Sequence, residues 1–200
     1  INPHFLYNTL DNIKSISVDL LDIDNPIESS LLLLNNILAE SMDRTNIIIT
    51  VAREVALTES YIELMKLRYR NNFDVDWSIE KGLENYAVLK LLIQPIIENS
   101  IIHGFSNVGT NQKISIRIYS ENNDMVIRIT DNGRGIENRR LSEIRNYLSD
   151  PDTESSNKHI GLINIQLRLR LLYGSNYGIS IDSGKTGTEC TVRLPKSSLS

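Results

Sequence analysis

No stretch of this chain approaches the roughly 18 to 20 consecutive apolar residues of a membrane-spanning helix, and no signal peptide is present. Only one cysteine occurs, Cys190, so an internal disulfide is excluded and a reducing compartment fits. Inside the apolar run "ECTVRLP" that thiol reads as a small core residue rather than a reactive one. Basic residues are not in excess: Lys and Arg number 21 against 25 Asp and Glu, a net charge of −4, and no basic cluster stands out. Nucleic acid is therefore not expected as a partner, because binding a phosphate backbone needs a basic footprint. Glycine is absent until Gly82. The chain also opens without a methionine, inside a patterned helix. Upstream sequence is thus expected, and the lack of a membrane span is read for this stretch alone.

What is present is enough to fold. With 200 residues, 40 % of them hydrophobic and 23 % charged, the chain can bury a core and has room for one large or two small domains. The glycine-free region reads helical. At 100° per residue, Phe5, Leu6, Leu10, Ile13, Ile16, Leu20 and Leu21 fall in one half of a first helix. His4, Asn8, Asp11, Ser15 and Asp19 form a polar stripe opposite. Asn25 as N-cap, Pro26 at N1 and Glu28 at N3 open a second helix over about 27–44. Thr50 is a candidate N-cap for a third helical stretch ending near Tyr69. Two amphipathic helices cannot bury their stripes alone, so a four-helix bundle across a homodimer is expected, with "SLLLLNNIL" as packing surface.

From residue 73 the pattern changes. "FDVDWSIE" alternates and reads as a strand. Residues 88–103 read as a mostly apolar helix. "KISIRIYSENNDMVIRITDNG" reads as a hairpin. A short helix is expected over 137–148, then a polar loop, "SDPDTESSNK". A helix ending at Gly174 and two final strands complete the chain. The sum is an α+β protein: a helical hairpin joined near residues 70–82 to an α/β domain.

Three segments could carry chemistry. "DNGRGI" ends a strand. Gly133 and Gly135 would let backbone approach a ligand, with Asp131 as an acceptor at the rim. A plain turn would use the same residues. "PIIENSIIHG" sets Glu98, Asn99 and His103 on one apolar helix, with Asn99 and His103 sharing a face at i,i+4. A carboxamide oxygen suits Mg²⁺. A core Asn and His satisfied by neighbours is the plainer reading. "HIGLINIQLRL" puts Gly161 ahead of a helix whose free N–H groups favour phosphate, with Asn164 in its first turn.

The order of these segments resembles the N, G1, lid and G2 boxes of the GHKL nucleotide-binding fold. "TGTECTVRLP" is similar to its closing Gly-Thr strand. "NPHFLYNTLDNI" resembles the phosphoacceptor box of LytS/YesM-type sensor histidine kinases. "LLIQPIIENSIIHGF" and "HIGLINIQLRLRLLYG" resemble that family's later boxes. The resemblance spans essentially the whole chain. It implies dimerisation and phosphotransfer helices at 1–72, forming the four-helix bundle in a homodimer. A GHKL-type two-layer α/β sandwich follows at 73–200. It further implies that His4 accepts a phosphoryl group from ATP and passes it to an aspartate on a response-regulator receiver domain. Asn8, one helical turn beyond His4, would serve dephosphorylation of that regulator. Asn99 would hold Mg²⁺ in an ATP site with His103, Asp131, Gly133, Gly135, Gly161, Leu162, Asn164 and Thr188. Residues 138–158 would form the lid. The chain would be the cytoplasmic portion of a membrane sensor, touching the membrane only through upstream segments. Asp11, Ile102 and His159 depart from the usual pattern. Phe5, normal for this type, leaves the base assisting His4 unidentified. A GHKL protein of another class or a non-catalytic signalling scaffold are the rival readings.

Overall fold

The computed structural model describes residues 10, 13, 30–35, 38–39, 46–69, 72–105, 111–150 and 160–197. His4, Asn8, the Asn25–Glu28 capping pattern and residues 151–159 of the expected lid lie outside them. The chain divides into two compact units, Ile1–Ile47 with Val55–Asn71, and Ile48–Glu54 with Asn72–Ser200.

In the first unit residues 10, 13, 30–35 and 38–39 are helical, as the apolar spacing predicts. Leu10 and Leu31 are buried. Ile13, assigned to the apolar half, is 44 % exposed, and Leu32 is 43 % exposed. The expected stripe is thus only partly covered within one chain. Helix α1, Val51–Arg68, begins where Thr50 Oγ1 accepts the Arg53 N–H at 3.2 Å, the N-cap bond its position predicts. Lys66 and Arg68 in its last turn complement the helix dipole. Leu57, Tyr61, Ile62 and Met65 are its buried stripe.

The second unit opens on a short strand that periodicity did not reveal. β1, Ile48–Thr50, pairs antiparallel with β3, Ala87–Leu89. Strand β2, Phe73–Ile79, matches its prediction. The helix expected over 88–103 is shorter. Residues 87–89 are strand, 90–93 form turns, and helix α2 covers only Gln94–Asn99 before a π-helical turn, Ser100–Gly104. A buried apolar run of this length has no periodicity that separates strand from helix. Pro95, in the first turn of α2, marks the true start.

Strands β4 (Gln112–Glu121) and β5 (Asp124–Asp131) form the expected hairpin, turning at Asn122, whose φ is 56°. Helices α3 (Asn138–Ser149) and α4 (Ile160–Tyr173) follow, then β6 (Gly178–Ser183) and β7 (Thr188–Pro195). Five strands make one sheet in the order β2-β4-β5-β7-β6, antiparallel except for β2 with β4. Alternation decides its faces. Ile114, Ile116 and Ile118 of β4 and Met125, Ile127 and Ile129 of β5 are at most 1 % exposed, while Arg117 and Thr130 face out. Helices pack on the buried face, giving a two-layer α/β sandwich.

One buried charge ties the start of this unit to its middle. Glu54, in the first turn of α1, is 1 % exposed. Its Oε2 accepts the Leu91 N–H at 2.8 Å; its Oε1 accepts those of Leu92 and Ile93 at 2.7 and 2.8 Å. No side chain caps α2 at Ile93, so this carboxylate satisfies donors that lead into the helix. Burial pushes the Glu54 carboxyl from 4.5 up to about 7, against the opposing pull of the three amides and of Arg168. A value raised in the folded chain means that folding favours the protonated form. Its contribution to stability is full below pH 4.5 and is lost as pH rises through about 7. Chemical denaturation of the wild type should therefore show this loss across that window, and Glu54→Gln should lack it. The difference in unfolding free energy between the two, followed from pH 4.5 to beyond pH 7, is the measurement; a constant difference contradicts the assignment.

Candidate nucleotide site

The strand parity that builds the core also builds the site. Met125, Ile127 and Ile129 alternate toward the helices, and the next inward position is Asp131. The row of isoleucines thus ends in a carboxylate. Asp131 is 6 % exposed, so it lies on the floor of the cavity and not at the rim where its strand-end position suggested. Two donors make that burial tolerable. The Ser100 hydroxyl donates to Oδ2 at 2.8 Å, and the Gly133 N–H donates to Oδ1 at 2.9 Å. Asn132, between them in sequence, does other work: its amide accepts from the Lys113 N–H at 2.7 Å and donates to the Asn111 carbonyl at 2.8 Å.

Above Asp131 lies a cavity of about 940 Å³ between the sheet and helices α2, α3 and α4. That is the size range of small-molecule sites. Asn99, His103, Asp131, Gly135, Gly161, Leu162 and Thr188 all line it. Residues from four separate segments are thereby brought to one space. Gly133 does not line it; it packs behind Asp131, and its carbonyl accepts the Gly187 N–H at 2.6 Å. Asn164 is exposed on α4 and is not among the residues that line the cavity. His4 and Asn8 lie outside the described residues.

Two glycines are required by geometry. A Cβ at Gly133 would stand 2.5 Å from the Gly104 carbonyl oxygen. Gly135 has φ 72°, and a Cβ there would meet the Gly184 carbonyl at 2.6 Å. The π-helical turn explains part of this closeness. The Phe105 N–H reaches back five residues to the Ser100 carbonyl, and the freed Gly104 carbonyl accepts the Arg134 N–H at 2.9 Å. A Cβ at Gly161, by contrast, would meet among the described residues only Pro95 Cβ, at 3.9 Å.

The lining is divided by chemistry. Ile96, Ile129, Ile144, Leu162 and Ile181 supply its apolar part. Arg134, Arg140 and Lys185 also line the cavity. None of these cations, nor Ser100, was singled out from sequence. Ser100 directly follows Asn99, but only the fold shows that it reaches Asp131. Ser183 ties the surrounding loops: its Oγ accepts the Ile136 N–H at 2.8 Å and donates to the Gly187 carbonyl at 2.7 Å. Cys190 lines the cavity but is 4 % exposed, and burial, with the Asp131 and Glu189 charges, pushes its thiol up to about 12. It is a core residue, as its apolar setting predicted. Among the described residues no group of three or more His, Cys, Asp and Glu could hold a metal by itself.

The two kinds of glycine should separate experimentally. Gly133→Ala should cost roughly 1–3 kcal/mol, the scale of overpacking. Gly161→Ala, in open space on a helix, should leave stability unchanged or raise it by up to about 1 kcal/mol. Denaturant midpoints of the two variants against wild type check this; equal effects would contradict it.

Residues 1–73 match the family model "Histidine kinase" and residues 84–198 match "Histidine kinase-, DNA gyrase B-, and HSP90-like ATPase". Sensor protein LytS of Staphylococcus epidermidis is 28 % identical over 98 % of this chain and 32 % of its own length. Sensor histidine kinase BtsS of Escherichia coli and sensor histidine kinase YesM of Bacillus subtilis are 28 % identical with the same coverage. Among solved structures, the histidine kinase domain of a blue-light activated histidine kinase from Erythrobacter litoralis aligns with a TM-score of 0.52 at 16 % identity, over 98 % of this chain and 86 % of that one. The mycobacterial sensor histidine kinase MprB aligns with a TM-score of 0.52 at 13 % identity, over 76 % and 98 %. Both show the same fold. An inward-facing aspartate at a strand end, glycines that admit no side chain behind it, and an asparagine-bearing helix beside it accompany these matches, and the chain belongs to the family of histidine kinase-, DNA gyrase B- and HSP90-like ATPases.

Proposed function

We propose that this chain is the phosphotransfer and ATP-binding core of a sensor histidine kinase in a two-component pathway. It spans about a third of the length of the curated relatives it matches. The observation that carries the reading is the cavity itself: a buried carboxylate at its floor, with apolar side chains and three cations on its lining. A 6-aminopurine presents an exocyclic N–H donor to Asp131 and a flat apolar face to Ile129 and Leu162. Arg134, Arg140 and Lys185 are suited to a triphosphate. Free N–H groups of the first turn of α4, around Gly161 and Leu162, add partial positive charge.

The residues also fit Mg²⁺ carried by the nucleotide. Asn99 Nδ2 donates to the Pro95 carbonyl at 2.9 Å, which orients the amide and leaves its carbonyl oxygen, a hard ligand, for the metal. A cation that keeps most of its ligands as water and phosphate oxygens needs no carboxylate cage. When bound, it would neutralise charge on the phosphate oxygens.

We assign His4 as acceptor. A neutral imidazole nitrogen attacks the γ-phosphorus of ATP. A nitrogen–phosphorus bond forms, the bond to the ADP oxygen breaks, and the proton on the other ring nitrogen passes to solvent. Such transfer depends mainly on positioning and electrostatics. The phosphoryl group would then pass to a receiver-domain aspartate, with Asn8 orienting water for its later removal. Residues 1–72 would supply the acceptor and dimerisation helices, and 73–200 the ATP-binding domain. Exposure of Ile13 and Leu32 supports burial against a second copy. No helix among the described residues is long and apolar enough to cross a membrane, and we place the chain on the cytoplasmic side of a sensor anchored through other segments.

Labelling with γ-phosphate-labelled ATP tests this. The wild type should give an acid-labile, base-stable product. His4→Gln should abolish the label and keep ATP affinity, whereas Asn99→Ala should lose Mg²⁺-dependent ATP binding. Near wild-type label in His4→Gln would remove the acceptor assignment. Sedimentation of the same protein should give a dimer; a monomer at micromolar concentration would contradict the bundle.

A further inference from the structure

We propose that Glu54 is a positioning residue for nucleotide binding: by holding the Leu91, Leu92 and Ile93 amides it sets where helix α2 delivers Asn99 and Ser100 to the cavity. The proposal rests on the reading of that cavity as an ATP site. Glu54 does not line the cavity and touches no nucleotide in this reading. Its influence is mechanical and electrostatic.

The geometry has three parts. First, the segment 48–54 is held to 84–93 along its whole length. Strand β1 pairs with β3, the Val51 and Ala52 N–H groups donate to the Tyr86 and Glu84 carbonyls at 2.9 Å each, and Glu54 completes the series. Second, the three amides lead into α2. Asn99 lies six residues beyond Ile93, about 9 Å along a helix axis, so a small tilt at the amides moves the side chain that faces the cavity. Ser100 follows, and its hydroxyl is one of the two donors that hold Asp131. Third, α4 meets the same point. Arg168 donates to the Lys90 carbonyl at 3.1 Å and attracts the Glu54 carboxylate. Helix α4 carries Gly161 and Leu162, which line the same cavity. One carboxylate therefore joins the two helices that flank the ligand.

Arg168 approaches Glu54 from α4, and Lys90, itself 3 % exposed, immediately precedes the three amides. Glutamate is specified rather than any acceptor. Aspartate is one methylene shorter. Above about pH 7, where Glu54 is ionised, it accepts from all three amides; glutamine could keep the Leu92 and Ile93 bonds through its one oxygen but would set its NH₂ donor against the Leu91 N–H. Alanine would leave three buried donors unanswered.

The test uses the full chain and the dissociation constant of Mg²⁺–ATP, measured by calorimetry well below each variant's unfolding midpoint. Glu54→Ala should bind ATP about tenfold more weakly than wild type, the scale of coupling through packed elements. Glu54→Gln, which keeps two bonds, should fall between. Hydrogen exchange at Leu91, Leu92 and Ile93 should rise in the same order. If Glu54→Ala does not fold, the Gln variant alone decides. A folded variant with wild-type ATP affinity and only a lowered midpoint would show that Glu54 is a structural cap and overturn the proposal. Absence of ATP binding by the wild type would instead overturn the cavity reading and the proposal with it.

Discussion

The second unit depends on a carboxylate taken out of water. Burying Glu54 is unfavourable unless its oxygens are fully engaged, and three backbone N–H groups engage them. That requirement fixes more than one contact. The donors at Leu91–Ile93 have no capping side chain of their own, and the carboxylate has no water, so each makes the other's burial tolerable. Strand β1 and the first turn of α1 are consequently part of the ATPase-type unit, although they precede the residues that match that family by some thirty positions.

From that anchor the site follows by parity and close approach. The sheet presents every second residue of β5 to the helices, and the same rule that buries Ile127 and Ile129 buries Asp131. A carboxylate in that row needs donors. Ser100 comes from the helix layer and Gly133 from the loop beyond the strand. The Gly104 and Gly133 backbones approach so closely that no side chain fits between them. The cavity is therefore the space the two layers leave where the isoleucine core ends. Its polar residues are held before any ligand arrives, which is the pre-organisation that phosphoryl transfer exploits.

The kinase function we propose gives the two units complementary roles. The helical unit offers apolar residues that one chain does not cover, and the sandwich offers a cavity with an acceptor, a hard oxygen ligand and cations. Helix α1 runs as one element from Val51 to Arg68, with Glu54 in its first turn. The residue that orders α2 is thus carried by a helix whose later turns, with Leu57, Tyr61 and Met65, belong to the first unit.

Local physics is legible in the sequence alone. Period-two alternation determined β2, β4, β5, β6 and β7, and Thr50 and Gly174 determined helix ends, because these depend on a residue and its near neighbours. The box order grouped Asn99, Asp131, Gly161 and Thr188, and all four line one cavity. Other features depend on partners far along the chain. Strand β3 was read as helix because its partner, Ile48–Thr50, lies about forty residues earlier, and an apolar run carries no sign of which pairing buries it. That Ser100, Arg134, Arg140 and Lys185 line the cavity, and that Asn164 does not, was decided only when the layers set the directions of their elements. Glu54 looked like any first-turn glutamate of a helix. Tertiary structure alone decided that it is buried, because the three amides that compensate it come from a segment that sequence proximity does not connect to it.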